Sequence, residues 1–262
     1  MGNLACSIQK KASLVVRLFD DYDLELIYSG ITIFLNGYEK KFIRKNDGSF
    51  IFINLEEDLY DMCIKSQNYL HERIKLDLKK LNPLSPVLNV RLKPKPMCFY
   101  KKDATSIRFQ LVDENERTVE ADEIQAFIDT KNYFDGKIIE NEIVKGSQKI
   151  SKKTFHQEPF IGEVFYIKGE DTRKWEIIKI THSEDGMYFL EEPTKFSHAL
   201  GEKLYKTVQT KTDEKGNAIL YFKDLYKSKV TIKVIIKAKK LCREVSAQIS
   251  RGENIDLGKI FI

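Results

Sequence analysis

Apolar residues along this chain recur at every second position far more often than at every third or fourth. Such alternation puts one face of a strand in a core and the other in water, so the pattern predicts β structure throughout. The clearest run is 229–239. Val230, Ile232, Val234, Ile236 and Ala238 share one face, while Lys229, Thr231, Lys233, Ile235, Lys237 and Lys239 share the other. Strands are also predicted at 13–19, 31–35, 42–44, 49–53, 59–65, 74–78 and 87–92. Roughly seven short strands with turn signals between them are the pattern of an all-β sandwich. No segment sustains a helical period, so helix is expected to be scarce.

Turn chemistry divides these runs. Asn36-Gly37 and Asp47-Gly48 are hairpin dipeptides, because a tight turn needs positive φ and Gly adopts it without steric cost. Asp47-Gly48 leads into an aromatic strand and a corner at Asn54-Leu55. A longer copy runs from Thr212 through Gly216 to an Asp224-Leu225 corner. Lys93-Pro94-Lys95-Pro96 marks a boundary, since two alternating prolines cannot donate to a ladder and favour a stiff, extended connector.

Beyond that linker, 106–117 repeats the strand and acidic turn of 14–22, and 124–129 repeats 31–35. The counterpart of the first Gly hairpin is then delayed to Gly216. The delay predicts an insertion with its own rhythm. Strands are expected at 163–167, 174–180 and 187–190, with turns at Gly169-Glu170-Asp171 and Glu184-Asp185-Gly186 and closure over 199–205. The expected organisation is therefore a flexible N-terminus at 1–12, a first β-sandwich at 13–92 and a linker at 93–104. A second, discontinuous sandwich follows at 105–135 plus 207–262, with a small β-barrel inserted at 136–206.

The two outer units resemble the carboxypeptidase regulatory-like, or transthyretin-like, β-sandwich family. The resemblance rests on Leu18-Phe19-Asp20-Asp21 and Leu111-Val112-Asp113-Glu114-Asn115, and on the Gly hairpins running 48–55 and 216–225. It implies an all-β fold of two Greek-key sandwiches, the second interrupted by the inserted barrel, and a non-catalytic role. The order of modules is similar to accessory proteins of phage-tail-like contractile injection systems, and the insert to small β modules of phage structural proteins.

Composition adds bounds. The 262 residues carry 44 Lys and Arg against 39 Asp and Glu, a near balance that disfavours nucleic acid as a partner. The four cysteines (Cys6, Cys63, Cys98 and Cys242) include no Cys-x-x-Cys pair. They read as free thiols in a reducing compartment, with Cys63 and Cys242 buried in strands. No apolar run has the length of a membrane span, and a cytoplasmic site of synthesis is expected, with release as part of a particle under the assembly reading. His71, His156, His182 and His198 share no metal-ligand spacing, with a structural or solvent role expected for His198. The acidic turn at Asp20-Asp21-Tyr22-Asp23 lacks the Gly and terminal Glu of a calcium loop. No nucleophile elbow or phosphate loop is present, and Glu191-Glu192 are adjacent on a strand and face opposite ways. No cofactor, metal or catalytic residue is expected.

What remains is a candidate interaction surface. The lysine row Lys229, Lys233, Lys237 and Lys239 reads either as a face for an anionic partner or as a guard against strand pairing. The insert's aromatics, Trp175, Tyr166 and Tyr188 foremost, read as barrel core or as an aromatic face for a partner or a sugar. The function implied is a structural, protein-interaction component whose partners are other subunits of an assembly or further copies of itself. The competing reading is an adhesive or carbohydrate-binding surface module.

Overall fold

The structure is a computed structural model and describes residues 12–56, 58–96, 104–130, 133–159, 162–168, 175–223, 225, 227–238 and 241–262. The described residues are strand and loop, with 3-10 turns at Leu78–Lys80 and Lys152–Thr154 and no α-helix. The chain divides into two compact units, Met1–Tyr100 and Lys101–Ile262.

The first unit holds two four-stranded sheets. In one, β1 (Ala12–Asp20) lies antiparallel to β5 (Ser49–Ile53) and parallel to β8 (Val87–Leu92), with the short β4 (Ile43–Arg44) outside β5. In the other, β2 (Ile31–Leu35) sits between β3 (Tyr38–Glu39) and β6 (Leu59–Ser66), and β7 (Glu72–Asp77) borders β6. Alternation along β1 sends Leu14, Val16 and Leu18 into a shared core with Ile33, Leu35, Phe50, Phe52, Met62 and Ile64. Phe42 meets the Phe50 and Phe52 rings edge-on at centroid distances of 5.1 and 5.8 Å. Fully burying side chains of this size contributes about 1.5–3 kcal/mol each. The acidic turn holds itself together: Asp20 is buried and its carboxylate accepts the Tyr22 and Asp23 backbone N–H groups and the Tyr69 hydroxyl. Burial raises the Asp20 carboxyl above its usual range despite those bonds.

The second unit repeats this wiring. β9 (Thr105–Val112) lies antiparallel to β17 (Asn217–Phe222) and parallel to β20 (Asn254–Phe261), as β1 does to β5 and β8. β10 (Glu123–Ile128), β18 (Lys229–Ala238) and β19 (Leu241–Ser250) pair in the order of β2, β6 and β7. Their inward residues form one core that includes Ile107, Leu111, Ile124, Leu220, Val234 and Ile236. The corners at Asp113 and Asp213 are built alike. Each Asp N–H bonds the carbonyl four residues on, and each carboxylate caps two following N–H groups. The fourth turn residue is left-handed in both, Glu116 at φ 59° and Gly216 at φ 73°.

Between β10 and β17 lie β11 (Gly136–Lys137), β12 (Lys149–Ser151), β13 (Val164–Lys168), β14 (Trp175–Glu184), β15 (Met187–Leu190) and β16 (Lys203–Thr210). They are continuous with the parent sheet, in the order β12-β15-β14-β13-β16-β10-β18-β19. β16 serves both modules: Lys203–Thr207 pair with β13 and Thr207–Thr210 with β10. A boundary at 206/207 thus falls inside a strand. The insert's pairing also runs in a ring, since β11 joins β16 and Gly136 bridges Phe155, just beyond β12. Inside the ring lie Ile138, Ile143, Ile150, Phe155, Phe165, Ile167, Ile178, Ile180, Tyr188, Leu190 and Leu204.

Two positions of the sequence reading are corrected. The lysine row guards no edge, because β18 is flanked on both sides by β10 and β19. Cys242 is exposed on β19 and Cys63 is half-buried, so only a partial burial holds for one of the two.

Two glycines are required by close approach. A Cβ on Gly136 would stand 2.6 Å from the Thr154 carbonyl, and one on Gly216 would stand 2.8 Å from the Leu111 carbonyl at an already left-handed φ. Gly136→Ala is expected to cost about 1–3 kcal/mol from overlap alone. Gly216→Ala adds backbone strain of about 1–2 kcal/mol to a similar overlap. Urea unfolding should therefore rank Gly216→Ala as the more damaging; equal stability to wild type for Gly136→Ala would refute the ring closure.

Candidate functional site

The outward face of the continuous sheet in the second unit gathers most of the chemistry. Odd-numbered residues of β18 point there, and so do Phe127 of β10, Tyr205 of β16, Tyr166 of β13 and Trp175 of β14. Phe127, Tyr166, Tyr205 and Ile235 form a buried cluster against which Trp175, Ile177 and Phe134 pack. Phe127 stacks on Tyr166 at 4.3 Å with the rings 10° apart, and Trp175 lies 5.6 Å from Tyr166. Burial beside the Asp129 and Glu244 carboxylates pushes the Tyr166 hydroxyl up to about 12, and burial raises Tyr205 as well. Both are neutral hydrogen-bonding groups at physiological pH.

Ion pairs flank the aromatic cluster. On one side Lys168 reaches Asp129 at 2.9 Å, and Lys233 reaches Glu244 at 2.8 Å and Asp129 at 3.5 Å. The bond to Glu244 raises the Lys233 ammonium above its ordinary value. On the other side Lys237 donates to Glu123 at 2.9 Å, and the Gln125 amide donates to the same carboxylate oxygen at 2.5 Å. Two of the lysines read from sequence as a cationic row are therefore neutralised by carboxylates from neighbouring strands. Lys229 is exposed at the end of β18, and Lys239 lies outside the described residues.

A groove of about 530 Å³ opens on this face. Its floor and walls include Trp175, Ile177, Gln209, Gln125, Glu123 and Lys237, and the segment 191–195 forms one side. Of the sequence candidates, Lys233, Lys237, Tyr166 and Trp175 meet on one face. Tyr188 does not belong to it: alternation along β15 turns Tyr188 and Leu190 inward, leaving Tyr188 2% exposed against Phe155.

Beneath the groove lies a buried charged triad that sequence reasoning missed. His198 Nε2 is 2.6 Å from Glu176 Oε1 and its Nδ1 is 2.7 Å from Glu202 Oε2, with the ring wholly buried. A carboxylate oxygen only accepts, so both ring nitrogens donate and the ring is an imidazolium. Burial opposes its charge, but the two carboxylates outweigh that and raise the His198 value above the ordinary one. Burial likewise pushes Glu176 up, yet His198 and the N–H groups of Lys195 and Phe196 bring its carboxyl below the usual range. The contact distances leave no room for an ion between ring and carboxylate, where a metal would need about 2 Å to each ligand. No cluster of His, Cys, Asp and Glu suited to a metal occurs among the described residues. The only sequence signal was Glu176 occupying an inward position in step with Ile178 and Ile180; the residues that neutralise it are remote in the chain.

The triad ties the 191–198 segment to β14. Because the folded ring holds its proton more tightly than the unfolded one, its contribution is complete below the unfolded value of about 6.5. It fades as pH rises through the raised folded value. His198→Gln should therefore lose most stability relative to wild type in mildly acidic solution, and the gap should narrow in alkali. Urea unfolding at a series of pH values measures this, and a gap that does not vary with pH would contradict the imidazolium.

No family model matches the chain, and no curated protein matches it. Solved structures of low similarity include the shaft pilin SpaA from Lactobacillus rhamnosus GG, at 10% identity and TM-score 0.27 over 97% of both chains. A streptococcal ancillary pilin gives 9% identity and TM-score 0.27, over 97% of this chain and 68% of its own. BcpA, the major pilin subunit of Bacillus cereus, gives 9% and 0.23, over 92% and 69%. At such scores these likenesses carry no argument about this chain. No helix among the described residues is long and apolar enough to cross a membrane.

Proposed function

We propose that this protein is a non-enzymatic structural component of a larger assembly, built from transthyretin-like sandwiches and an inserted small barrel. It joins its partners by strand addition. The observation that carries this reading is β19. It is the outermost strand of the longest sheet, runs for ten residues, and is exposed over Leu241–Glu244, with Leu241 57% exposed. An outer strand presents unpaired backbone groups to any extended chain, and proteins that avoid such pairing blunt the edge with Pro, bulges or free Lys. β19 contains no Pro or Lys and pairs with β18 without a register shift. Its two charged residues are engaged within the unit, Arg243 with the Phe261 carbonyl and Glu244 with Lys233.

The partner is another subunit of the assembly or a second copy of this chain. Contractile injection particles, to which the order of modules is similar, are the assembly whose separated parts merit testing first. The test is native mass by light scattering over a concentration series and after mixing with lysate from the source, with mass spectrometry of the chains that co-purify. We expect self-association or entry into a high-mass particle. Leu241→Lys with Cys242→Lys should abolish either while leaving stability within about 0.5 kcal/mol, since both residues are exposed. A monomer under every condition overturns the proposal.

A further inference from the structure

We propose that the groove on the outward face of the second unit binds a neutral, polyhydroxylated chain, an oligosaccharide. The inference does not depend on strand addition at β19. Its starting point is Gln125, which is 2% exposed and lines the groove. The Glu123 carboxylate, which only accepts, orients the Gln125 amide with Nε2 towards it. The amide oxygen is then left without a hydrogen-bond partner among the described residues. A buried acceptor in that state costs free energy until a donor reaches it. Water can meet it in the open groove, and a ligand O–H or N–H that displaces that water supplies the same bond.

The charges in the groove narrow the class. Lys237 is paired with Glu123, Lys179 with Glu191 at 2.7 Å and Lys195 with Glu192 at 3.6 Å. An anionic or cationic ligand would have to displace a partner already in place, whereas hydroxyl groups can bond to both members of each pair. The strand register gives the span. Trp175 stands opposite Lys168 and hence Lys203, while Gln125 stands opposite Gln209. Six residues along β16 at about 3.3 Å each, and three strand spacings at about 4.8 Å across the sheet, put the two ends roughly 25 Å apart. That length suits an extended chain, with the half-buried Trp175 ring offering a flat apolar surface at one end and Gln125 an acceptor at the other.

A peptide is the poorer fit. Extended peptides are held chiefly through backbone bonds to an open strand edge. The groove floor is the face of interior strands whose backbone groups are already used in the ladders on both sides. It offers amide, carboxylate and aromatic side chains, the groups that bond hydroxyls and stack on the C–H faces of sugar rings.

Trp175 is the only tryptophan of the chain, so its emission reports on this groove alone. The full-length protein would be titrated at millimolar concentrations with neutral gluco- and N-acetylglucosamine oligosaccharides of increasing length, and with an unstructured peptide of matched length. We expect a saturable change with at least one saccharide series, tightening with length, and none with the peptide. Gln125→Leu should weaken binding about tenfold. As a check on a second part of the groove, Trp175→Ala followed by calorimetry should weaken binding several-fold. Absence of any saccharide response overturns the proposal, as does undiminished binding by both variants or a response to the peptide alone.

Discussion

The second unit depends on β16 pairing with two modules at once. Its first half bonds to β13 and its second half to β10, with Thr207 facing Val164 on one side and Phe127 on the other. A strand shared in this way allows no flexible joint between insert and parent, because any rotation of one against the other would break ladder bonds in both. The cost of losing several buried backbone pairs is large compared with the few kcal/mol that typically separate domain orientations. The outward face therefore extends rigidly from β14 to β19, and side chains from strands far apart in sequence keep fixed separations. Both the aromatic cluster and the groove are consequences of that continuity.

Rigidity also explains how the buried charge is tolerated. Glu176 points into an apolar interior, where an unpaired carboxylate would be costly to bury. The imidazolium of His198 lies between Glu176 and Glu202, and two backbone N–H groups complete the shell of Glu176. Replacing such a cluster with apolar groups can be as stable, so its presence argues for a specified geometry more than for strength. Here the specified geometry is the course of 191–198, which lies against β14 and forms the wall of the groove.

Much of this architecture was legible because strand alternation and turn chemistry are local. The period-two runs located β1, β2, β5, β6, β8, β18 and the insert's β13 to β15. Asn36-Gly37 and Asp185-Gly186 take positive φ at both residues, and Asp47-Gly48 takes it at Gly48. The delayed Gly216 left room for the six strands, β11 to β16, that lie between β10 and β17. Pairing across long separations was not legible. Nothing near Glu176 identifies His198, and nothing in 229–239 reveals that Glu123, Asp129 and Glu244 neutralise Lys233 and Lys237. The sequence left the insert's aromatics open between core and outer face, and the inward turn of Tyr188 and the outward one of Trp175 required the register of β14 and β15. The short β11 and β12 carry too few residues to show a period.

Charge on this protein is arranged differently at faces and at edges. Across the sheet face Lys233 and Lys237 of β18 pair with carboxylates of β19 and β10, and Lys168 of β13 with Asp129 just beyond β10, so much of a row that looks cationic in sequence is neutralised. At the open edge, β19 carries one residue of each sign near its exposed end, and both are turned back into the unit. The face therefore presents paired charges, amides and rings, whereas the edge presents backbone and an exposed leucine. The contrast follows from one sheet, because the ladder consumes the backbone groups of its interior strands and leaves those of β19 open on one side.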